Sequence, residues 1–165
     1  MDLLLWRPAE AGEGLGEAAR PLTARGDRHA RRVAHWVRTQ VLPQLRVVVA
    51  PTVAAGQMAE HLGLPFEVSV RLSLGGCISE MVAATGWPEG RGAVAVIAHQ
   101  PAIGRMAALL LSGQEADWSI KKGALWWFSN RARRGETQTV LRTAITPEFL
   151  NCRDMGARHA VSVAA

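Results

Sequence analysis

The chain predicts an α/β fold: three layers, α/β/α, around a mostly parallel sheet with an antiparallel edge. Three observations predict it. Short apolar runs rich in β-branched residues alternate with stretches of helical periodicity up to about residue 111. Beyond that point two strand-like runs follow one another across a basic turn, a hairpin signal. The 165 residues, 48% apolar and 20% charged, suffice for one domain with a substantial core.

Asp2 to Trp6 reads as a short buried strand, followed by a Gly/Glu/Ala loop from Ala9 to Ala19 and the stretch Arg20-Pro21-Leu22. Thr23 is the expected N-cap of a helix running to about Val41, because Ala30, Val33, Ala34, Val37 and Val41 recur at helical spacing on one face. Arg46 to Ala50 is a second strand and Thr52 to Leu62 a second helix. Phe66 to Val70 reads as a short strand and Gly76 to Thr85 as a helix carrying Cys77. Ala93 to Ala98 is the clearest buried strand, and a helix from Pro101 to Leu111 places proline in the permitted first turn. Gly123 to Ser129 and Thr137 to Ile145 form the hairpin, turning around Arg133-Arg134-Gly135. Residues 1–150 make the domain; residues 151–165 lack periodicity and read as a poorly ordered C-terminal extension.

In open sheets of this type, ligands sit beyond the carboxyl ends of the strands. The parallel-strand candidates end at Trp6, Ala50 and Ala98, so the turns Arg7-Pro8, Pro51-Thr52 and His99-Gln100 are expected to converge. An arginine and a histidine delivered this way suit a phosphate, since the guanidinium fork can contact it in bidentate fashion.

Net charge is +5, from 19 basic and 14 acidic residues, which favours anionic partners. Arg25, Arg28, Arg31, Arg32 and Arg38 lie between the apolar positions of one helix and read as its solvated face. Arg131, Arg133 and Arg134 make a second, turn-borne cluster. Trp118, Trp126 and Trp127 with Lys121 and Lys122 could offer a base-stacking platform, but Trp126 and Trp127 must face opposite sides of a strand. Packing is the preferred reading. The apolar runs are far shorter than the ~20 residues that span a bilayer. Positions 1–6 lack the pattern of a secretory signal, so the expected compartment is the cytoplasm, with Cys77 and Cys152 as ordinary thiols. His29, His35, His61 and His159 show no metal spacing with acids, and Gly12, Gly14 and Gly16 do not open directly into a helix as a dinucleotide fingerprint would. No metal and no cofactor are expected.

Together, these residues resemble the histidine phosphatase superfamily, with its phosphoglycerate-mutase-like fold, and within it the small SixA-type phosphohistidine phosphatases. The resemblance covers residues 2–150. It rests on the opening strand with Arg7, on Arg20-Pro21-Leu22-Thr23 with Gly26, on Val49-Ala50-Pro51, and on Ile97-Ala98-His99-Gln100-Pro101 with Gly104. It implies a two-step phosphatase in which a histidine directly after the first arginine attacks phosphorus and water then cleaves the phosphoenzyme. Arginines and a second histidine hold the phosphoryl oxygens meanwhile.

Carried over by position, Arg7 matches the first arginine, His99 the second histidine, and Arg20 an arginine flanking the pocket mouth. Pro8 stands where the nucleophile belongs, and Ala54 stands where the family pattern has an arginine three residues past the proline. Proline has neither a nucleophilic side chain nor an N–H. Loss of a covalent nucleophile can remove several orders of magnitude of rate, and loss of a charged donor roughly 3 kcal/mol. The resemblance therefore implies a phosphatase lineage with impaired catalysis and a retained anion pocket, whose ligand is a phosphorylated protein or a small phosphorylated molecule. Two alternatives stay open. One is an active phosphatase with a displaced nucleophile, His99 or Glu10; the other is a basic nucleic-acid-binding module. No residue is assigned as general acid, and the sequence sets no oligomeric state.

Overall fold

The structure, a computed structural model, describes residues 1–13, 16–42, 44–133 and 136–150. Strand β1 (Asp2–Trp6) has Leu3, Leu4, Leu5 and Trp6 fully buried. Four successive apolar residues, Leu3 to Trp6, are what an interior strand covered on both faces requires. Helix α1 (Ala24–Thr39) is capped by Thr23, whose hydroxyl accepts from the Gly26 N–H at 3.0 Å. It buries Ala30, Val33, Ala34 and Val37.

The helix ends before Val41, which is 96% exposed and not part of the apolar face as expected. The cause is local. Thr39 Oγ1 and Gln40 Nε2 both donate to the Trp36 carbonyl, satisfying a terminal acceptor, and Gln40 turns to extended backbone.

Strand β2 (Leu45–Val49) leads to helix α2 (Val53–Glu60), whose N-cap Thr52 accepts from the Ala55 N–H at 3.3 Å. Strand β3 spans only Phe66–Val68, because Val70–Leu72 coils into a 3-10 turn in place of the longer strand expected to Val70. Helix α3 (Ile78–Thr85) starts later than expected: Cys77 is its exposed N-cap, not a helical residue. Strand β4 (Ala93–Ile97) is buried throughout, and helix α4 (Ala102–Ser112) follows with Pro101 as its N-cap. Strands β5 (Leu125–Arg133) and β6 (Glu136–Ile145) form the predicted hairpin; Arg134 and Gly135 of its turn lie outside the described residues.

The sheet has six strands in the order β3-β2-β4-β1-β5-β6. β3, β2, β4 and β1 are parallel, and β5 and β6 add the antiparallel edge. The mixed α/β class and the antiparallel edge are as the sequence predicts. α1 packs on α2, and α3 on α4. Trp127 meets Trp36 of α1 edge-to-face at 6.1 Å, while Trp126 meets Trp118 beyond α4 at 6.4 Å. The adjacent tryptophans thus serve opposite faces of the sheet. No helix among the described residues is long and apolar enough to cross a membrane. Residues 151–165, including Cys152 and the expected extension, lie outside the described residues.

Candidate functional site

β1 and β2 flank β4, with Trp6 and Val49 both in register with Ile97. Their carboxyl ends therefore stop at one level. The ladders continue a step further, through the Ala50 N–H to the Ile97 carbonyl at 2.9 Å and the Ala98 N–H to the Trp6 carbonyl at 3.3 Å. The turns that follow open onto one cavity of about 130 Å³, lined by Arg7, Pro8, Arg20, Ala54, His99 and Lys122, with Glu17 and Gln100 also in its wall. That is smaller than the ~300–1,000 Å³ of sites for drug-sized ligands, and suits a single compact group. The five positions matched to the family pattern, Arg7, Pro8, Arg20, Ala54 and His99, all line it.

Arg7 is half-buried. Its N–H donates to the Ala124 carbonyl at 3.0 Å and its guanidinium to the Ile120 carbonyl. Burial lowers its pKa, and it makes no ion pair among the described residues. A desolvated cation served only by a carbonyl gains from an anion brought beside it.

Pro8 is buried, and its carbonyl shares the Gly123 N–H with that of Arg7, at 3.1 and 3.2 Å. Gly123 sits at φ +76°, a conformation that favours glycine. Ala54, on the first turn of α2, is buried and presents only a methyl group. His99 Nε2 lies 2.9 Å from Thr52 Oγ1. Burial lowers the His99 pKa, the field of Glu17 opposes that shift, and Arg7 adds to it. Burial and Arg7 thus favour the neutral imidazole.

Arg20 is positioned by a folded-back loop. The Gly12 N–H donates to the Pro21 carbonyl at 2.8 Å, and the Leu22 N–H donates to Gln57 Oε1 of α2 at 2.8 Å. Gly26 and Gly104, noted in the sequence beside the candidate residues, are where backbones touch. A Cβ on Gly26 would overlap the Glu10 carbonyl, and one on Gly104 would overlap that of Trp118. Gln100 clamps the same place, donating to the Trp118 carbonyl at 3.1 Å and accepting from the Gly104 N–H at 3.2 Å.

Glu10 does not line this cavity. It belongs to an adjoining one, where its carboxylate accepts from Thr23 Oγ1 at 2.8 Å and pairs with Arg25 at 3.8 Å. The helix arginines are partly engaged as well: Arg31 pairs with Asp27 at 2.8 Å, and Arg38 donates to the His61 carbonyl at 3.2 Å. Among the described residues no group of His, Cys, Asp and Glu is arranged to hold a metal ion.

Sequence reasoning missed three neighbours of the site. Thr52 lies in one of the three turns expected to converge, but nothing in the sequence marks its hydroxyl as a partner of His99. Lys122 stands in sequence beside Lys121 near the tryptophan cluster, with no local sign of the cavity. Glu17 lies in a loop whose path no local pattern discloses.

No family model matches the chain. Phosphohistidine phosphatase SixA of Escherichia coli (strain K12) is 31% identical over 124 residues, which span 69% of this chain and 76% of that protein. A solved structure of the protein histidine phosphatase SixA complexed with tungstate superposes with a TM-score of 0.75 at 26% identity, covering 92% of this chain and all of that one. A mycobacterial glucosyl-3-phosphoglycerate phosphatase has a TM-score of 0.62 at 15% identity, covering 86% of this chain and 97% of that one, a likeness of fold alone.

Proposed function

The chain belongs to the SixA-type phosphohistidine phosphatases of the histidine phosphatase superfamily, and from that membership we propose that it binds a phosphoryl group without hydrolysing it by the family route. One observation carries the reading: Pro8 and Ala54 line the same small cavity as Arg7 and His99. In this reading part of the phosphoryl-holding set, Arg7 and His99, is kept there, while the attacking imidazole and the arginine of α2 are replaced by Pro8 and Ala54.

In this reading Arg7 meets the phosphoryl oxygens with the part of its fork not donating to Ile120. His99, steadied by Thr52, presents its imidazole to the same oxygens, and Arg20 approaches from the mouth. Pro8 offers no lone pair to phosphorus, so no phosphoenzyme forms there. Glu10, the other candidate for a displaced nucleophile, is occupied by Thr23 and Arg25 in the adjoining cavity. The ligand class that fits the membership is a phosphorylated protein, or a small phosphorylated molecule presenting the same terminal group.

The test is to incubate the unaltered chain with a phosphohistidine-bearing protein and measure released phosphate. Release no faster than in its absence, together with saturable binding of inorganic phosphate that Arg7→Ala strongly weakens, is the expected outcome. Sustained turnover would overturn the reading in favour of a displaced nucleophile.

A further inference from the structure

The turn that precedes β5 is pinned directly onto the Arg7-Pro8 turn. The Gly123 N–H donates to the carbonyls of Arg7 and Pro8, the Arg7 N–H to that of Ala124, and the Arg7 guanidinium to that of Ile120. The Ala124 N–H closes the turn on the Lys121 carbonyl at 3.0 Å. Whatever side chains this turn carries are therefore held at a fixed place beside Arg7.

It carries two adjacent lysines with different surroundings. Lys121 Nζ lies 3.0 Å from Glu148 Oε1. Burial pushes the Glu148 carboxyl up, yet hydrogen bonds led by Lys121 outweigh that and hold it down at about 2. Lys122 makes no ion pair among the described residues. It lines the cavity with Arg7, Arg20, Ala54 and His99, and also the adjoining cavity with Glu10 and Arg25, so it stands on the partition between them.

We infer that Lys122 is an anion-binding residue of this site, supplying from the turn before β5 a positive charge where α2 offers only the methyl group of Ala54. The inference rests on the phosphoryl-binding reading above and names a further residue of that same site. Its chemistry differs from that of an arginine in the first turn of α2. A lysine brings a compact, hydrated point charge on a flexible stem, so it neutralises a phosphoryl oxygen without fixing two at once. That suits holding an oxyanion more than aligning one for in-line displacement, which needs geometry as well as charge.

The experiment is a titration with inorganic phosphate at low salt of the unaltered chain, Lys122→Gln, Lys122→Arg, Lys121→Gln and Arg7→Ala, with thermal melts of each. Lys122→Gln is expected to weaken phosphate binding roughly tenfold, the scale of one charge-assisted contact. Its melting temperature should be unchanged, and its salt dependence shallower. Lys122→Arg should retain most of the affinity, and Lys121→Gln should stay within about twofold, as for an exposed pair. Affinity of Lys122→Gln within twofold of the unaltered chain, while Arg7→Ala still loses binding, would overturn the role of Lys122 alone. Absence of phosphate binding by the unaltered chain would instead overturn the phosphoryl-binding reading itself.

Discussion

Thr52 Oγ1 lies 2.9 Å from His99 Nε2, joining the turn after β2 to the turn after β4. The same hydroxyl oxygen accepts from the Ala55 N–H at 3.3 Å, so one side chain caps α2 and orients the imidazole. Thr52→Val keeps the shape and removes both bonds. Phosphate binding should weaken about fivefold, the worth of one neutral hydrogen bond of ~1 kcal/mol. Stability should fall by ~1 kcal/mol through the lost cap. Thr52→Ser, which keeps the hydroxyl, should restore both. Titration and thermal melting of the two variants check this.

His99 also predicts a pH dependence of stability. Burial holds its pKa below the ordinary histidine value of 6.5, so the unfolded chain takes up the proton at a higher pH than the folded one. Stability from this group is complete above pH 6.5 and declines as pH falls toward the lower folded value. His29 is shifted in the same direction, chiefly by burial, so His99→Gln should remove only part of the slope. Added phosphate should flatten the slope in the unaltered chain by giving the imidazolium a partner. Melting temperatures measured between about pH 5 and 8 would contradict this if the slope were identical in His99→Gln.

Gly104 is the contact point between α4 and the Trp118 carbonyl. Gly104→Ala forces the helix and the loop apart, and should destabilise by ~1–3 kcal/mol, as overpacking does. For a chain of this size each kcal/mol lowers the melting temperature by roughly 2–4 °C. Gly113→Ala is not an equivalent control, because φ +75° there adds backbone strain of its own. Gly56→Ala in α2, with open space around the new methyl, is the suitable comparison and should be neutral or slightly stabilising.

The order of strands and helices was legible because each buried element carries its own pattern: Leu3 to Trp6 and Ala93 to Ile97 are apolar throughout, and α1 shows helical spacing. The ends were less legible. Val41 fits the α1 stripe in sequence, yet Thr39 and Gln40 both donate to the Trp36 carbonyl and end the helix first. At the site, Arg7, Pro8, Ala54 and His99 were legible because strand ends lead straight into the cavity. Lys122 and Glu17 were not, since they arrive through long-range backbone bonds and loop packing that no local pattern encodes.

Arg7 should dominate anion affinity. Its guanidinium is desolvated and has no carboxylate partner among the described residues, so Arg7→Ala should weaken phosphate binding roughly 10- to 100-fold, from ~1.5–3 kcal/mol for a charged hydrogen bond. Arg7→Lys should recover only part of this, because one ammonium cannot serve both the Ile120 carbonyl and the anion as a fork does. Equal affinities for the unaltered chain and Arg7→Ala would contradict the assignment.

The most direct measurement compares the unaltered chain with the double variant Pro8→His, Ala54→Arg on a phosphohistidine-bearing protein. Both released phosphate and any acid-labile phosphate attached to the chain itself are followed. The parent is expected neither to release phosphate nor to become phosphorylated, while the double variant does both. Equal turnover by the two, or a phosphorylated parent, would contradict it.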